Sequence, residues 1–165
     1  MLPPTFLVRI SLSLSGAFPV VVGLSTAHAE DAQAYCAKVG DDDSVKTIPA
    51  NLVAQARKLF YRSSEEISDA QVRDSTSFRC MSGEVWLCNY GANLVCDKAN
   101  VSRVSPGASA FCKENPGSDV VPMAATGHDT IYSWECAGNK ARITAQVVKV
   151  DPRGFIAENW KQIER

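Results

Sequence analysis

Six cysteines constrain the fold of this chain more than any other feature of its sequence. All of them lie after residue 30, and their number is even. An even set of cysteines in an exported chain is typical of a disulfide framework, because the periplasm and the extracellular space are oxidising. The cysteines are Cys36, Cys80, Cys88, Cys96, Cys112 and Cys136. We therefore expect every cysteine to be in a disulfide bond.

The spacing of the cysteines leaves their pairing open, since many connectivities are compatible with it. Folding the chain at the predicted turn of residues 91–93 places Cys88 opposite Cys96 on a hairpin, within reach of a bond. Two further cysteines occupy equivalent places in two similar hairpins, which leaves the last two for each other. The resulting hypothesis is the set of pairs Cys88–Cys96, Cys80–Cys136 and Cys36–Cys112.

Metal binding and thiol chemistry are the alternatives to disulfide bonds. The eight-residue steps between Cys80, Cys88 and Cys96 differ from the close pairs that bind zinc. The sequence contains no C-x-x-C motif of the thioredoxin type. His128 is the one histidine after residue 29. We therefore predict no metal site and no cofactor.

The first 29 residues have the features of a secretory signal peptide. Arg9 precedes an apolar stretch over residues 10–24, and an A-x-A motif ends at Ala29. No second apolar stretch of membrane-spanning length follows. The sequence thus predicts a signal peptide over residues 1–29 and one exported domain over 30–165, in the periplasm or secreted.

The charge of the predicted mature chain disfavours nucleic acid as a ligand. Removing Arg9 leaves 16 Lys and Arg residues against 18 Asp and Glu residues, a net charge of −2. The basic residues are also scattered along the chain, whereas binding to phosphates needs a basic face. We therefore expect no nucleic-acid partner.

Residue patterns predict an α+β domain after an irregular acidic segment over 29–47, in which Asp41–Asp43 are solvated. Apolar residues at helical spacing predict a helix over 48–62, and residues 63–77 form a polar, partly mobile connector. Two-residue periodicity then predicts strands. The predicted strands cover residues 76–81, 84–90, 94–97, 129–136 and 140–150. One or two helical turns are expected over 105–117, a loop or edge segment over 120–127, and a last strand or short helix over 155–163. The expected fold is an antiparallel sheet of meandering hairpins, stabilised by disulfides, with the N-terminal helix packed on it.

His128 and Asp129 are the candidates for catalysis. A general base needs a substrate proton or nucleophile within hydrogen-bond reach and a group that orients it, and adjacent side chains in an extended segment point to opposite sides. No G-x-S-x-G or H-E-x-x-H motif accompanies them. A second arrangement is a carboxylate pair of Glu84 and Glu135 facing each other across the sheet, which would also need a cleft. We therefore predict no catalytic residues.

Aromatic residues in the second half of the chain suggest a binding surface instead. Most of them are expected in the core, but solvent-facing Trp and Tyr residues anchor protein interfaces. We select Tyr90 and Asn93 in the turn "NYGAN", His128 in the "TGHD" loop, and Trp160 near the C-terminus.

Two longer stretches carry a resemblance to known proteins. "FRCMSGEVWLCNYGANLVCDKANVSR" and "FCKENPGSDVVPMAATGHDTIYSWECAGNKARI" resemble a group of small exported proteobacterial proteins of uncharacterised function. That resemblance implies export and disulfide bonds. The cysteine hairpins are also similar to those of periplasmic inhibitors of C-type lysozyme, but the Ser/Gly-rich loop and Lys-Tyr segment that those inhibitors insert into the enzyme have no clear match here.

These observations favour a non-catalytic, exported binding or inhibitor-like module whose partner is a protein or another envelope ligand. One alternative is a small periplasmic hydrolase that uses His128. Another is an envelope scaffold or stress protein.

Overall fold

The computed structural model describes residues 31–62, 66–90 and 94–164. The predicted signal peptide, residues 1–29, and Asn93 lie outside the described residues. The fold is α+β with antiparallel sheets and three disulfide bonds, as predicted. The helices are α1 (Ala32–Val39), α2 (Val53–Phe60), α3 (Asp69–Ser75), α4 (Pro106–Glu114) and α5 (Met123–Thr126). The strands are β1 (Asp42–Thr47), β2 (Thr76–Met81), β3 (Glu84–Asn89), β4 (Tyr132–Ala137), β5 (Lys140–Gln146) and β6 (Lys161–Gln162).

One sheet contains β1, β2, β3 and β6 in that order, all antiparallel. Its central hairpin, β2–β3, turns at Ser82 and Gly83, whose φ angles are 56° and 77°. Two consecutive positive φ angles are those of a type I′ turn, whose twist matches that of the flanking strands. The predicted strand over 76–81 is confirmed, and the predicted strand over 84–90 ends at Asn89.

The N-terminal segment is more regular than predicted. Residues 29–47 contain α1 and β1, so the prediction of an irregular segment is wrong. Asp31 caps α1, since its carboxylate accepts a hydrogen bond from the backbone N of Gln33 at 3.1 Å. Ala32 and Cys36, one turn apart, are buried against the first sheet. The helix is too short to show a clear apolar stripe, and long-range packing defines it.

The helix predicted over 48–62 is present but shorter than predicted, covering residues 50–60. A 3₁₀ turn over Ala50–Leu52 leads into α2, whose Val53 and Ala56 are buried in the core of the first sheet. The connector after it also contains α3, which the sequence did not predict. Ser68 and Gln71 form a capping box at its start, each side chain bonding to the other residue's backbone N–H.

The predicted antiparallel hairpins are present, and they form two sheets, since the hairpin β4–β5 is separate from the four-stranded sheet. Helix α4 covers this hairpin, and Trp134 is buried between them. On the other edge of β4, the backbone N of Val121 donates to the carbonyl of Trp134 at 2.8 Å, and Cys136 N donates to Ser118 O at 2.8 Å. Residues 120–127 were predicted as a loop or edge segment, and they combine this edge with α5.

The disulfide bonds confirm one predicted pair and correct the others. Cys88–Cys96 is present, whereas the predicted pairs Cys80–Cys136 and Cys36–Cys112 are replaced by Cys36–Cys80 and Cys112–Cys136. The pair Cys80–Cys136 was predicted from the similarity of the two hairpins, and Cys36–Cys112 followed by elimination. Each hairpin instead has its own helix, and the cysteine of that helix bonds to the strand below it.

The C-terminal segment combines both predicted alternatives, a 3₁₀ turn over Ala157–Asn159 followed by β6. The predicted strand over 94–97 is absent, and only isolated bridges follow it directly, Lys98 with Phe155 and Asn100 with Thr130. Phe155 and Trp160 pack with the Cys88–Cys96 bond in a third small core. The chain end therefore closes the first sheet against the disulfide.

Candidate functional site

The loop closed by the Cys88–Cys96 bond has rigid ends. Both sulfur-bearing residues are fully buried. The backbone N of Tyr90 donates to the carbonyl of Ser75 at 2.7 Å, and the Asn159 amide donates to the carbonyl of Val95 at 2.9 Å. One side of the loop is thus fixed to the end of α3, and the other side to the 3₁₀ turn that precedes β6.

A polar cluster beneath the loop positions Asn89. Its amide nitrogen donates to the hydroxyl oxygens of Tyr61 at 2.6 Å and Thr76 at 3.0 Å. The hydroxyl groups of Tyr61 and Ser75 are also within 2.6 Å of each other. These contacts fix the last residue of β3, so that the chain enters the loop in one direction.

Two large side chains project from this loop into solvent. Tyr90 is 42% exposed and Leu94 is 49% exposed. Exposed apolar side chains that lie singly are normal on protein surfaces, but here two belong to the same short disulfide-closed loop. Tyr90 was predicted as a binding residue, and its exposure fits that role, whereas Asn93 lies outside the described residues. We call Tyr90 and Leu94 the loop pair.

Trp160 does not belong to this surface. Its side chain is buried, with its ring 5.6 Å from the ring of Phe155 in an edge-to-face arrangement. The guanidinium of Arg79 lies 4.7 Å from the Trp160 ring and 4.2 Å from the Phe155 ring. The prediction of a solvent-facing Trp160 is therefore wrong, because the C-terminal segment folds back onto the sheet.

Arg79 is a charged residue in the core that no sequence pattern predicted there. Its side chain is fully buried and forms an ion pair with Asp151. Burial lowers the pKa of the guanidinium, and the nearby carboxylate opposes that effect. The alternating residue pattern of β2 does not indicate that Arg79 points inward. The carboxylate of Asp151, which accepts its hydrogen bond, lies in a turn 72 residues away.

The acidic run Asp41–Asp43 was predicted to be a solvated loop, and this prediction is wrong. Asp42 lies in β1 and accepts hydrogen bonds from Lys46 and Tyr35, which hold its pKa far below the ordinary value. Arg153 and Lys98 donate to Asp43, at 2.8 and 2.9 Å, and lower its pKa in the same way. Asp42 thus connects β1 to α1 through Tyr35, and Asp43 connects β1 to the C-terminal half of the chain.

The His128 side chain is exposed and forms no hydrogen bond with the described part of the chain. The orienting contact that a general base needs is thus not present there. Glu84 and Glu135 lie in different sheets, so they cannot face each other as predicted, and Glu135 pairs with Arg142. The structure does not bring the proposed catalytic residues together.

A groove of 860 Å³ lies between α2 and α3, and we call it the α2–α3 groove. Its residues include the apolar Val53, Ala54 and Ile67, the ring of Tyr61, and three basic residues of α2 and the turn after it. Arg57 crosses this groove, donating to the Ile67 carbonyl at 2.8 Å and to Asp69 at 2.6 Å. The groove was missed because it depends on α3, whose sequence signal, the capping-box residues Ser68 and Gln71, was not used.

Among the described residues, no group of three or more His, Cys, Asp or Glu side chains is arranged to hold a metal ion. None of the helices in the described ranges has the length and apolar character needed to cross a bilayer. Comparisons with protein families, with curated proteins and with solved structures give no match to this chain.

Proposed function

We propose that the protein is an exported, non-catalytic binding module that contacts a partner protein through the loop pair, Tyr90 and Leu94. The observation that carries the proposal is their exposure within a loop closed by a buried disulfide. A disulfide and fixed loop ends reduce the entropy that is lost when such a loop is immobilised by a partner. Tyrosine in particular supplies a large contact area with few rotatable bonds.

The disulfide bonds support export, because such bonds persist in oxidising compartments. The resemblance to small exported proteobacterial proteins points the same way. The alternatives, a small hydrolase that uses His128 and an envelope scaffold or stress protein, stay predictions. Neither gains an observation comparable to the loop pair.

Site-specific photo-crosslinking in the producing cells tests the proposal. The photoreactive residue p-benzoylphenylalanine replaces Tyr90 or Leu94, and a control variant carries it at Thr144, an exposed position on β5. We expect one discrete adduct from positions 90 and 94 and none from position 144. Adducts of equal yield from all three positions, or from none, would contradict the proposal.

A matched pair of variants then measures the contribution of the loop to affinity for the captured partner. Leu94→Asp places a charge in the proposed contact without altering the core, and Thr144→Asp is its control. An affinity that falls only for Leu94→Asp supports the proposal, and equal effects of both substitutions argue against it.

A further inference from the structure

The α2–α3 groove contains one arginine, Arg57, whose charge is balanced by groups of the protein itself. Arg57 is engaged twice, by the Ile67 carbonyl and the Asp69 carboxylate. Its charge is therefore balanced within the protein, and its role is to hold α3 against α2. The groove keeps its shape through this contact, which is independent of the Cys88–Cys96 loop.

Two other cations of the groove are not balanced in this way. Lys58 and Arg62 are exposed and form neither a hydrogen bond nor an ion pair with the described residues. Glu66 also lines the groove and likewise has no such contact within the described ranges. The described residues that line the groove thus carry a net positive charge, on a chain whose predicted mature form has a net charge of −2.

The groove also has an apolar floor. Val53 is buried in the core below, Ile67 and Tyr61 are half-buried, and Ala54 is small enough to leave space above the helix. Its volume of 860 Å³ lies within the range of sites that enclose a small ligand or a short peptide segment. A polyanion would need a longer row of cations than this groove offers.

We propose that the α2–α3 groove binds a short acidic-apolar peptide segment of a partner protein. An apolar side chain of the segment packs on Val53 and Ile67, and its carboxylate lies between Lys58 and Arg62. Glu66 accepts a hydrogen bond from a backbone N–H of the segment. Charge complementarity and the apolar floor both select this ligand over a neutral or basic one.

Fluorescence anisotropy with the mature protein, its disulfides intact, tests the proposal. The probe is a fluorescein-labelled, acetylated peptide of alternating Glu and Leu, and the matched probe has Gln in place of each Glu. We expect the acidic peptide to bind more tightly than the Gln peptide, with an affinity that decreases as salt is added. The variant Lys58→Gln/Arg62→Gln should bind the acidic peptide about tenfold more weakly, as two exposed ion pairs are lost.

Control variants separate binding from folding. Lys113→Gln/Lys140→Gln removes two exposed cations elsewhere and should bind like the wild type. Ala54→Trp fills the groove from an exposed helix position, and it should abolish binding while thermal denaturation shows an intact fold. The Leu94→Asp variant should bind the peptide normally, so that failure of the loop proposal and failure of this one are distinguishable.

Four results would overturn the proposal. The first three are equal affinity for the acidic and Gln peptides, wild-type affinity of Lys58→Gln/Arg62→Gln, and peptide binding that persists in Ala54→Trp. Preferential binding of a heparin fragment at Lys58 and Arg62 would do so as well, because it would identify a glycan site.

Discussion

Replacing Asp151 with asparagine tests how the C-terminal segment is held on the first sheet. The Arg79 side chain is 0% exposed and that of Asp151 is 7% exposed. The guanidinium also lies against the rings of Phe155 and Trp160, at 4.2 and 4.7 Å. Removing the carboxylate charge therefore leaves a buried cation without its counter-ion, in an environment that water cannot reach.

The expected cost is large for one substitution. Removing one partner of a buried ion pair destabilises a protein by about 3–5 kcal/mol. The asparagine oxygen can still accept the hydrogen bonds that Asp151 Oδ1 receives from the backbone N of Arg153 at 2.8 Å and of Phe155 at 3.0 Å. The loss therefore reports the contact with Arg79, both its charge and its hydrogen bond, rather than the turn. With a urea m-value of about 2 kcal/mol/M, the unfolding midpoint should fall by about 2 M.

Urea denaturation followed by tryptophan fluorescence measures this shift, with Asp43→Asn as the control. Asp43 pairs with Lys98 and Arg153, whose side chains are 58% and 37% exposed, so its loss should cost no more than about 1 kcal/mol. Adding Arg79→Met to Asp151→Asn removes the orphaned charge and should restore much of the stability. If Asp151→Asn costs no more than Asp43→Asn, the reasoning is refuted.

Three further predictions use the same denaturation assay. Replacing both cysteines of Cys36–Cys80, which are 44 residues apart, should cost about 4 kcal/mol, against about 2.5 for Cys88–Cys96, 8 residues apart. The reverse order would contradict the loop-entropy argument. Because the pKa of Asp42 is lowered on folding, its contribution is present above the unfolded value of 3.8 and is lost as the pH falls below it. As the pH falls below 3.8, the free energy of unfolding of Asp42→Asn should therefore decrease less steeply than that of the wild type. A Cβ at Gly107 would lie 1.8 Å from the Ala125 carbonyl oxygen, so Gly107→Ala should cost about 1–3 kcal/mol, and a neutral result would show that α5 moves freely.

Features that depend on neighbouring residues could be predicted from the sequence. The turn at Ser82 and Gly83 and the strands on either side follow from local turn chemistry and two-residue periodicity. The helix around Val53 follows from its apolar stripe. The Cys88–Cys96 bond was predictable because only a short chain segment separates its cysteines.

The candidate site was predictable only in part. Tyr90 was identified because a tyrosine beside a predicted turn is commonly exposed, and the structure places it in solvent. Trp160 was misassigned because it was selected for its position near the C-terminus, while its neighbours in space are Arg79 and Phe155. The α2–α3 groove was missed, since it exists only where two helices meet.

The sequence by itself thus determined the even set of cysteines, the α+β character and the local hairpins, because these properties are encoded within a few residues of one another. The tertiary structure alone decided that the chain forms two separate sheets. That division selected Cys36–Cys80 and Cys112–Cys136 over the predicted pairs. The tertiary structure also placed Arg79 and Asp151 together in the core. The physical reason is that pairing partners distant in the chain are chosen by which surfaces can be buried together, and no local pattern records that choice.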